Sequence, residues 1–161
     1  MERKDLPEMN ALDLSVSFQF SAAHTYSISE WDQEKNKHVF ANNYSATPHG
    51  HNYKMIVTIR GNPDKTSGMV INFDRLEELV SSLVVQELDH KFLNEDVGYF
   101  QIHMPTTENV ALYVWNKLTG NLESFSLRSV RIYEDESLYA EIKDEGKGQG
   151  AKSKGIKTMD I

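Results

Sequence analysis

His49 and His51 stand two residues apart in the string HGHNYK. In an extended chain such residues project from the same face. Side by side, two neutral imidazoles offer a pair of nitrogen ligands, and one divalent metal satisfies both. Imidazole suits zinc, whose catalytic sites commonly keep three protein ligands and one open position. His24, at the end of another alternating segment, could supply the third. The alternative for an H-x-H pair is two structural histidines with ordinary partners. Asp89 and His90 adjoin in LDHKFLN, where a carboxylate can orient an imidazole and raise its basicity. Neighbours on a helix do not face one another, so the pair also reads as a helix end whose dipole favours His. Glu134 shares parity with Val130 and Ile132. An inward carboxylate there could hold a ligand's N–H groups, whereas a frayed strand end would leave it exposed. Thr106, Thr107 and Glu108 follow Pro105 and fit helix capping and the N-terminal dipole.

Composition narrows the classes of function. The chain has 161 residues, with 17 Lys plus Arg against 24 Asp plus Glu, a net charge of −7. That balance argues against a nucleic-acid partner bound through a basic surface. Hydrophobic residues at 39 % allow a core and argue against wholesale disorder. No apolar run reaches the ~18 residues of a membrane span, and the N-terminal stretch is not a secretory signal. A cytoplasmic location with no membrane partner is the expectation. There is no cysteine, which removes disulfides, thiolate metal sites and cysteine nucleophiles.

The elements that would position these residues follow from periodicity. Leu12, Leu14, Val16, Phe18 and Phe20 alternate with polar residues and predict a strand. Residues 25–48 are polar and aperiodic and read as one long loop. Tyr53, Met55, Val57 and Ile59 predict a second strand, with His49 and His51 on its inward parity. The string GNPDKTSG reads as a turn, and residues 69–72 as a possible short strand. Asp74, three before Glu77, suggests a capping box. Leu76, Leu79, Val80, Leu83 and Val84 then mark a helix. A second helix is expected from Thr106 or Thr107, with Val110, Ala111, Val114, Trp115 and Leu118 inward. Residues 127–135 and 138–142 read as two final strands. The order ββααββ predicts an α+β fold, a four-stranded antiparallel sheet with two helices on one face. Its open edges and uncovered face invite self-association. A flexible arm at 1–11, one domain at 12–143 and a disordered tail at 144–161 complete the expectation.

Six strings occur in one order: FSAAH (20–24), HGHNYK (49–54), GMVINFDRL (68–76), LDHKFLN (88–94), PTTENVA (105–111) and YEDES (133–137). Together they resemble the 6-pyruvoyltetrahydropterin and 6-carboxytetrahydropterin synthase family. The resemblance implies a tunnelling fold (T-fold), with trimers whose sheets join into a barrel and stack into a homo-hexamer. It implies Zn2+ held by His24, His49 and His51, with Asp89 and His90 as the catalytic pair. Glu134 would anchor the pterin's amino-pyrimidine edge, and Thr106, Thr107 and Glu108 would line its pocket. The implied substrate is 7,8-dihydroneopterin triphosphate, converted with loss of triphosphate; the rival product is the 6-carboxytetrahydropterin of queuosine biosynthesis. One departure stands out. The family places a cysteine base before HGH. Biopterin-type spacing puts Asn43 there, the shorter queuosine-type spacing puts Ser45 there, and residues 44–48 contain no glutamate as a substitute. A pterin-binding relative with little or no turnover is therefore a third reading.

Overall fold

The alternation that begins at Leu12 runs further than the apolar residues alone suggest. In the computed structural model, which describes residues 11–122 and 125–145, β1 spans Leu12–Tyr26. It pairs antiparallel with β2, Ser45–Gly61, in a register that sets Phe18 opposite Met55 and His24 opposite His49. β4 (Ser126–Tyr133) pairs antiparallel with β2, and β5 (Tyr139–Lys143) with β4. One face of this sheet is apolar: Phe18, Phe20, Met55, Val57, Ile59, Val130 and Ile132 are all buried. Two helices, α2 (Phe73–Val80) and α5 (Thr107–Leu118), bring Leu76, Val80, Val110, Val114 and Leu118 into the same core. Each such side chain contributes about 1.5–3 kcal/mol when fully buried. The opposite face is polar, tied by Ser15 to Thr58 hydroxyl contact at 2.8 Å and by Arg60 Nε donating to Asp13 at 2.6 Å.

The expected loop at 25–48 is only partly a loop. Its first residues belong to β1 and its last to β2. Between them lie α1 (Gln33–Phe40) and a 3-10 turn, Ala41–Asn43. The helix lacks an apolar stripe, which is why periodicity misses it; its one buried residue is Asn36. The Asn36 amide replaces an apolar anchor. It donates to the carbonyls of Ile28, Trp31 and Asp32 at 3.0–3.1 Å and accepts from Ile28 N–H at 2.8 Å.

Three smaller expectations are corrected. Residues 69–72 form no strand. Asn72, not Asp74, caps α2, accepting from Asp74 N–H at 2.9 Å and Arg75 N–H at 3.4 Å. A fifth strand, β3 (Lys91–Phe92), pairs parallel with Ala22 and Ala23, giving the order β3-β1-β2-β4-β5. Two residues are too few to leave a period in the sequence. The expected arm and tail fall, apart from Ala11, Asp144 and Glu145, outside the described residues.

The first helix is not uniform. After α2 come a π-helical turn, Ser81–Val85, and a last α turn, α3, Gln86–Leu88. Leu76, Val80, Val84 and Leu88 are all fully buried, in steps of four. In a pure α-helix of about 3.6 residues per turn that spacing drifts by ~40° per step. The wider π turn offsets the drift and keeps all four on the core. α4 (Leu93–Asp96) and a 3-10 turn, Gly98–Gln101, lead to α5. Among the described residues, no helix is long and apolar enough to cross a membrane.

Ala41, at the end of α1, has φ 47° and ψ −123°. Glycine adopts that region readily, whereas a Cβ makes it cost about 1–3 kcal/mol. Ala41→Gly should therefore raise the unfolding free energy by about 1 kcal/mol in urea titrations, with the slope unchanged. A lower midpoint would show that the backbone there is unstrained.

Candidate functional site

The register of β1 and β2 builds the site. Because His24 faces His49 and Ala22 faces His51, the three imidazoles meet at one end of the sheet. His24 to His49 ring centroids are 4.6 Å apart, His24 to His51 5.0 Å, and His49 to His51 4.9 Å. His24 is completely buried. Its Nδ1–H donates to the carbonyl of Pro105 at 3.0 Å. A carbonyl only accepts, so that contact fixes the neutral tautomer and leaves Nε2 as a bare lone pair. That Nε2 lies 3.1 Å from His49 Nε2. Burial pushes the His24 imidazole below its ordinary range, which favours the neutral, ligating form.

One ligand atom from each histidine lies within 4.8 Å of the others. Zinc holds imidazole nitrogens at about 2.0–2.1 Å in tetrahedral array, which separates them by about 3.4 Å. The His24 and His49 Nε2 atoms, 3.1 Å apart, are close to that spacing. His51 Nε2 supplies a second argument, being buried without a hydrogen-bond partner. It approaches Glu134 Oε1 at 3.6 Å, an ion-pair distance that counts only if the ring is protonated. A buried imidazole nitrogen with no donor or acceptor partner suits a metal, and a dication would balance the nearby carboxylate. These residues could hold a metal ion.

Glu134 is only 8 % exposed. It follows the last residue of β4, where Asp135 organises the turn into β5. Asp135 Oδ1 accepts from the Ser137 hydroxyl at 2.7 Å, Ser137 N–H at 2.6 Å and Leu138 N–H at 2.9 Å, and these donors, the hydroxyl first, hold its carboxyl below the usual range. Glu134 Oε2 accepts from the hydroxyls of Thr107 at 2.5 Å and Tyr26 at 3.3 Å. The strand therefore does not fray there. Thr106 and Thr107 divide their work. Thr106 is the cap of α5, accepting from Asn109 N–H at 3.3 Å, while Thr107 turns inward to Glu134. Glu108 is exposed in the first helical turn.

Asp89 and His90 do face each other, because the chain has left the helix at that point. Asp89 is extended, and His90 sits at φ 60°. His90 Nδ1 is 3.0 Å from Asp89 Oδ1, and His90 is 81 % exposed. Ser21 N–H donates to the same carboxylate at 2.8 Å and chiefly holds its pKa down. Among the described residues no hydrogen bond or ion pair joins this pair to the histidine cluster. A cleft of about 540 Å³ is nevertheless lined by both His51 and His90. Asn43 is exposed at the end of the 3-10 turn. Tyr26, outside every motif, and Tyr53, expected only as an inward strand residue, are buried parts of the site; the Tyr53 hydroxyl lies 3.3 Å from His24 Nδ1. Parity with His24 would have flagged Tyr26 had β1 been extended two residues.

The sheet with helices packed on one face recurs in solved structures. The structure of Caenorhabditis elegans 6-pyruvoyl tetrahydropterin synthase matches with a TM-score of 0.76 and 32 % identity, covering 86 % of this chain and 99 % of that one. The fold is the T-fold. The family model for 6-pyruvoyl tetrahydropterin synthase matches residues 13–145, and the chain belongs to that family. The Homo sapiens 6-pyruvoyl tetrahydrobiopterin synthase is 38 % identical over 124 residues, 77 % of this chain and 86 % of that protein. A dihydroneopterin monophosphate aldolase from Pyrococcus furiosus is 31 % identical over 124 residues, 76 % of this chain and 90 % of its own length.

The metal reading has a direct check. Protein purified with zinc should carry one equivalent per chain, and a chelator should lower the melting temperature by mass action. His49→Ala combined with His51→Ala should abolish zinc uptake; full occupancy in that variant would reject the cluster as the site.

Proposed function

We propose that the protein is a zinc-dependent synthase-type lyase acting on 7,8-dihydroneopterin triphosphate with elimination of triphosphate. The observation that carries this reading is the neighbourhood of two unlike groups. A three-histidine cluster able to hold a cation lies beside a buried carboxylate whose Oε2 is held by two hydroxyls. The first suits the oxygens of a substrate side chain, and the second suits the paired N–H donors of a pterin ring. Zinc held by His24, His49 and His51 would supply Lewis acidity toward those oxygens.

The chain's own residues would divide the remaining work. Glu134 accepts the ring's N–H groups, a charge-assisted contact of about 1.5–3 kcal/mol. Thr107 fixes that carboxylate, and Thr106 and Glu108 border the pocket. Asp89 orients His90, which moves protons during elimination. His90 stands on an exposed edge, so a neighbouring copy could bring it to another chain's cluster. Assembly as a homo-hexamer, a dimer of trimers, belongs to the same proposal, as does a cytoplasmic location. The uncovered polar face and the open edge at β5 support self-association. Light scattering should report a particle of at least three chains; a monomer at working concentration would remove this part.

A second reading rests on one fact: the chain has no cysteine. Asn43 cannot serve as a base near neutral pH. The protein would then bind pterin with little turnover, or carry out a different cleavage of the same substrate; formation of 6-carboxytetrahydropterin is the rival product and calls for the same missing cysteine. The name of the Pyrococcus furiosus relative, a dihydroneopterin monophosphate aldolase, supports weighing a different cleavage.

Triphosphate release and product analysis with zinc and 7,8-dihydroneopterin triphosphate separate the readings. Glu134→Gln should weaken pterin binding about tenfold or more. Asn43→Cys should create or raise triphosphate release with little change in affinity, since a thiol with a depressed pKa is a competent base. If the unaltered protein already turns over at ~1–10³ per second and Asn43→Cys adds nothing, the base lies elsewhere, with His90 and Glu34, the acidic residue in the first turn of α1, the next candidates.

A further inference from the structure

Tyr26 lies outside the motifs that point to chemistry, yet it is buried at the centre of the site. Its hydroxyl and that of Thr107 both donate to Glu134 Oε2, at 3.3 and 2.5 Å. A carboxylate oxygen has two lone pairs, so these donors fill Oε2. Oε1 faces the histidines and accepts no hydrogen bond among the described residues. The two donors come from different elements, β1 and α5. With one, the carboxylate could turn about its own bonds; with two, its rotation is fixed. A carboxylate oxygen only accepts, so in this contact the phenol is the donor.

The ring of Tyr26 makes a second set of contacts. It lies 4.6 Å from the His24 ring and 6.0 Å from Phe40. Phe40 also stacks on Trp31 at 6.2 Å, and Asn36 clamps the turn that carries Trp31. Phe40 ends α1 and leads directly into Ala41–Asn43. One side chain therefore touches a histidine of the cluster, the carboxylate and the helix that precedes the Asn43 turn.

We propose that Tyr26 is a positioning residue for Glu134: its phenol holds the carboxylate so that Oε1 is presented to the N–H donors of a bound ring, and its aromatic face ties that carboxylate to α1. This inference rests on the reading of Glu134 as the ring anchor. Orientation supplied in advance is orientation that ligand binding need not provide.

The test uses Tyr26→Phe, which keeps the ring and removes the hydroxyl. Three quantities are measured: zinc content, neopterin affinity by fluorescence titration, and urea stability of Tyr26→Phe, Glu134→Gln and the double variant. Zinc content should not change. Neopterin should bind about tenfold more weakly, the scale of one hydrogen bond to a charged group. Tyr26→Phe should cost no further affinity in the Glu134→Gln background. The two substitutions should be non-additive in stability. Additive stability effects overturn the proposal. So does an unchanged neopterin affinity in Tyr26→Phe, since a phenol that only supports packing would leave it unmoved. If the unaltered protein binds no neopterin, the pterin reading fails, and the stability cycle alone decides whether Tyr26 holds Glu134.

Discussion

The antiparallel register of β1 and β2 is the constraint on which the site depends. With His24 opposite His49, the i+2 geometry of β2 brings His51 to the same point. A shift of one residue would send one strand's whole inward set to the opposite face. The long apolar alternation of both strands resists such a slip. Phe18, Phe20, Met55, Val57 and Ile59 would have to leave the core together. The residues that hold the register therefore lie mostly away from the chemistry. The histidines are carried at the end of a ladder whose cost of misalignment is borne elsewhere.

The start of α5 is the second organising point. Within three consecutive residues the chain gives the Pro105 carbonyl to His24, the Thr106 hydroxyl to the helix end and the Thr107 hydroxyl to Glu134. A cap fixes backbone direction, and here that direction also sets a histidine tautomer and a carboxylate rotamer. Local helix chemistry and site geometry are the same interaction seen from two sides. One short string therefore both caps a helix and holds a carboxylate of the candidate site.

Much of this was legible in the residues. The parity of His24, His49, His51 and Glu134 placed each on the inward face, and all four meet there. What could not be read has physical reasons. Thr106 and Thr107 are chemically alike, and only the φ/ψ of the helix start decides which one caps. Tyr26 was lost because the alternation past Ser21 is carried by His and Tyr rather than aliphatic residues. The helix α1 is anchored by the buried amide of Asn36, which no hydrophobic period announces. Asp89 and His90 face each other only because the backbone leaves helical geometry there, with Asp89 extended and His90 at a φ of 60°.

The π turn at Ser81–Val85 also bears on descent and design. It adjusts the phase of everything downstream by a fraction of a turn. Its effect is felt at Leu88, which stays in the core, and then at Asp89, which leaves the helix where Ser21 N–H can meet it. Removing one residue from this stretch could restore a regular helix and improve local hydrogen bonding. Because the wide turn takes up the rotation of its extra residue, such a deletion would leave the exit direction about where it is. A deletion in the regular turns on either side would instead rotate the exit by about 100°, the angle per residue of an α-helix. Length variation is therefore tolerable at the π turn and costly beside it, and chimaeras joined inside this helix should place any difference in count within Ser81–Val85.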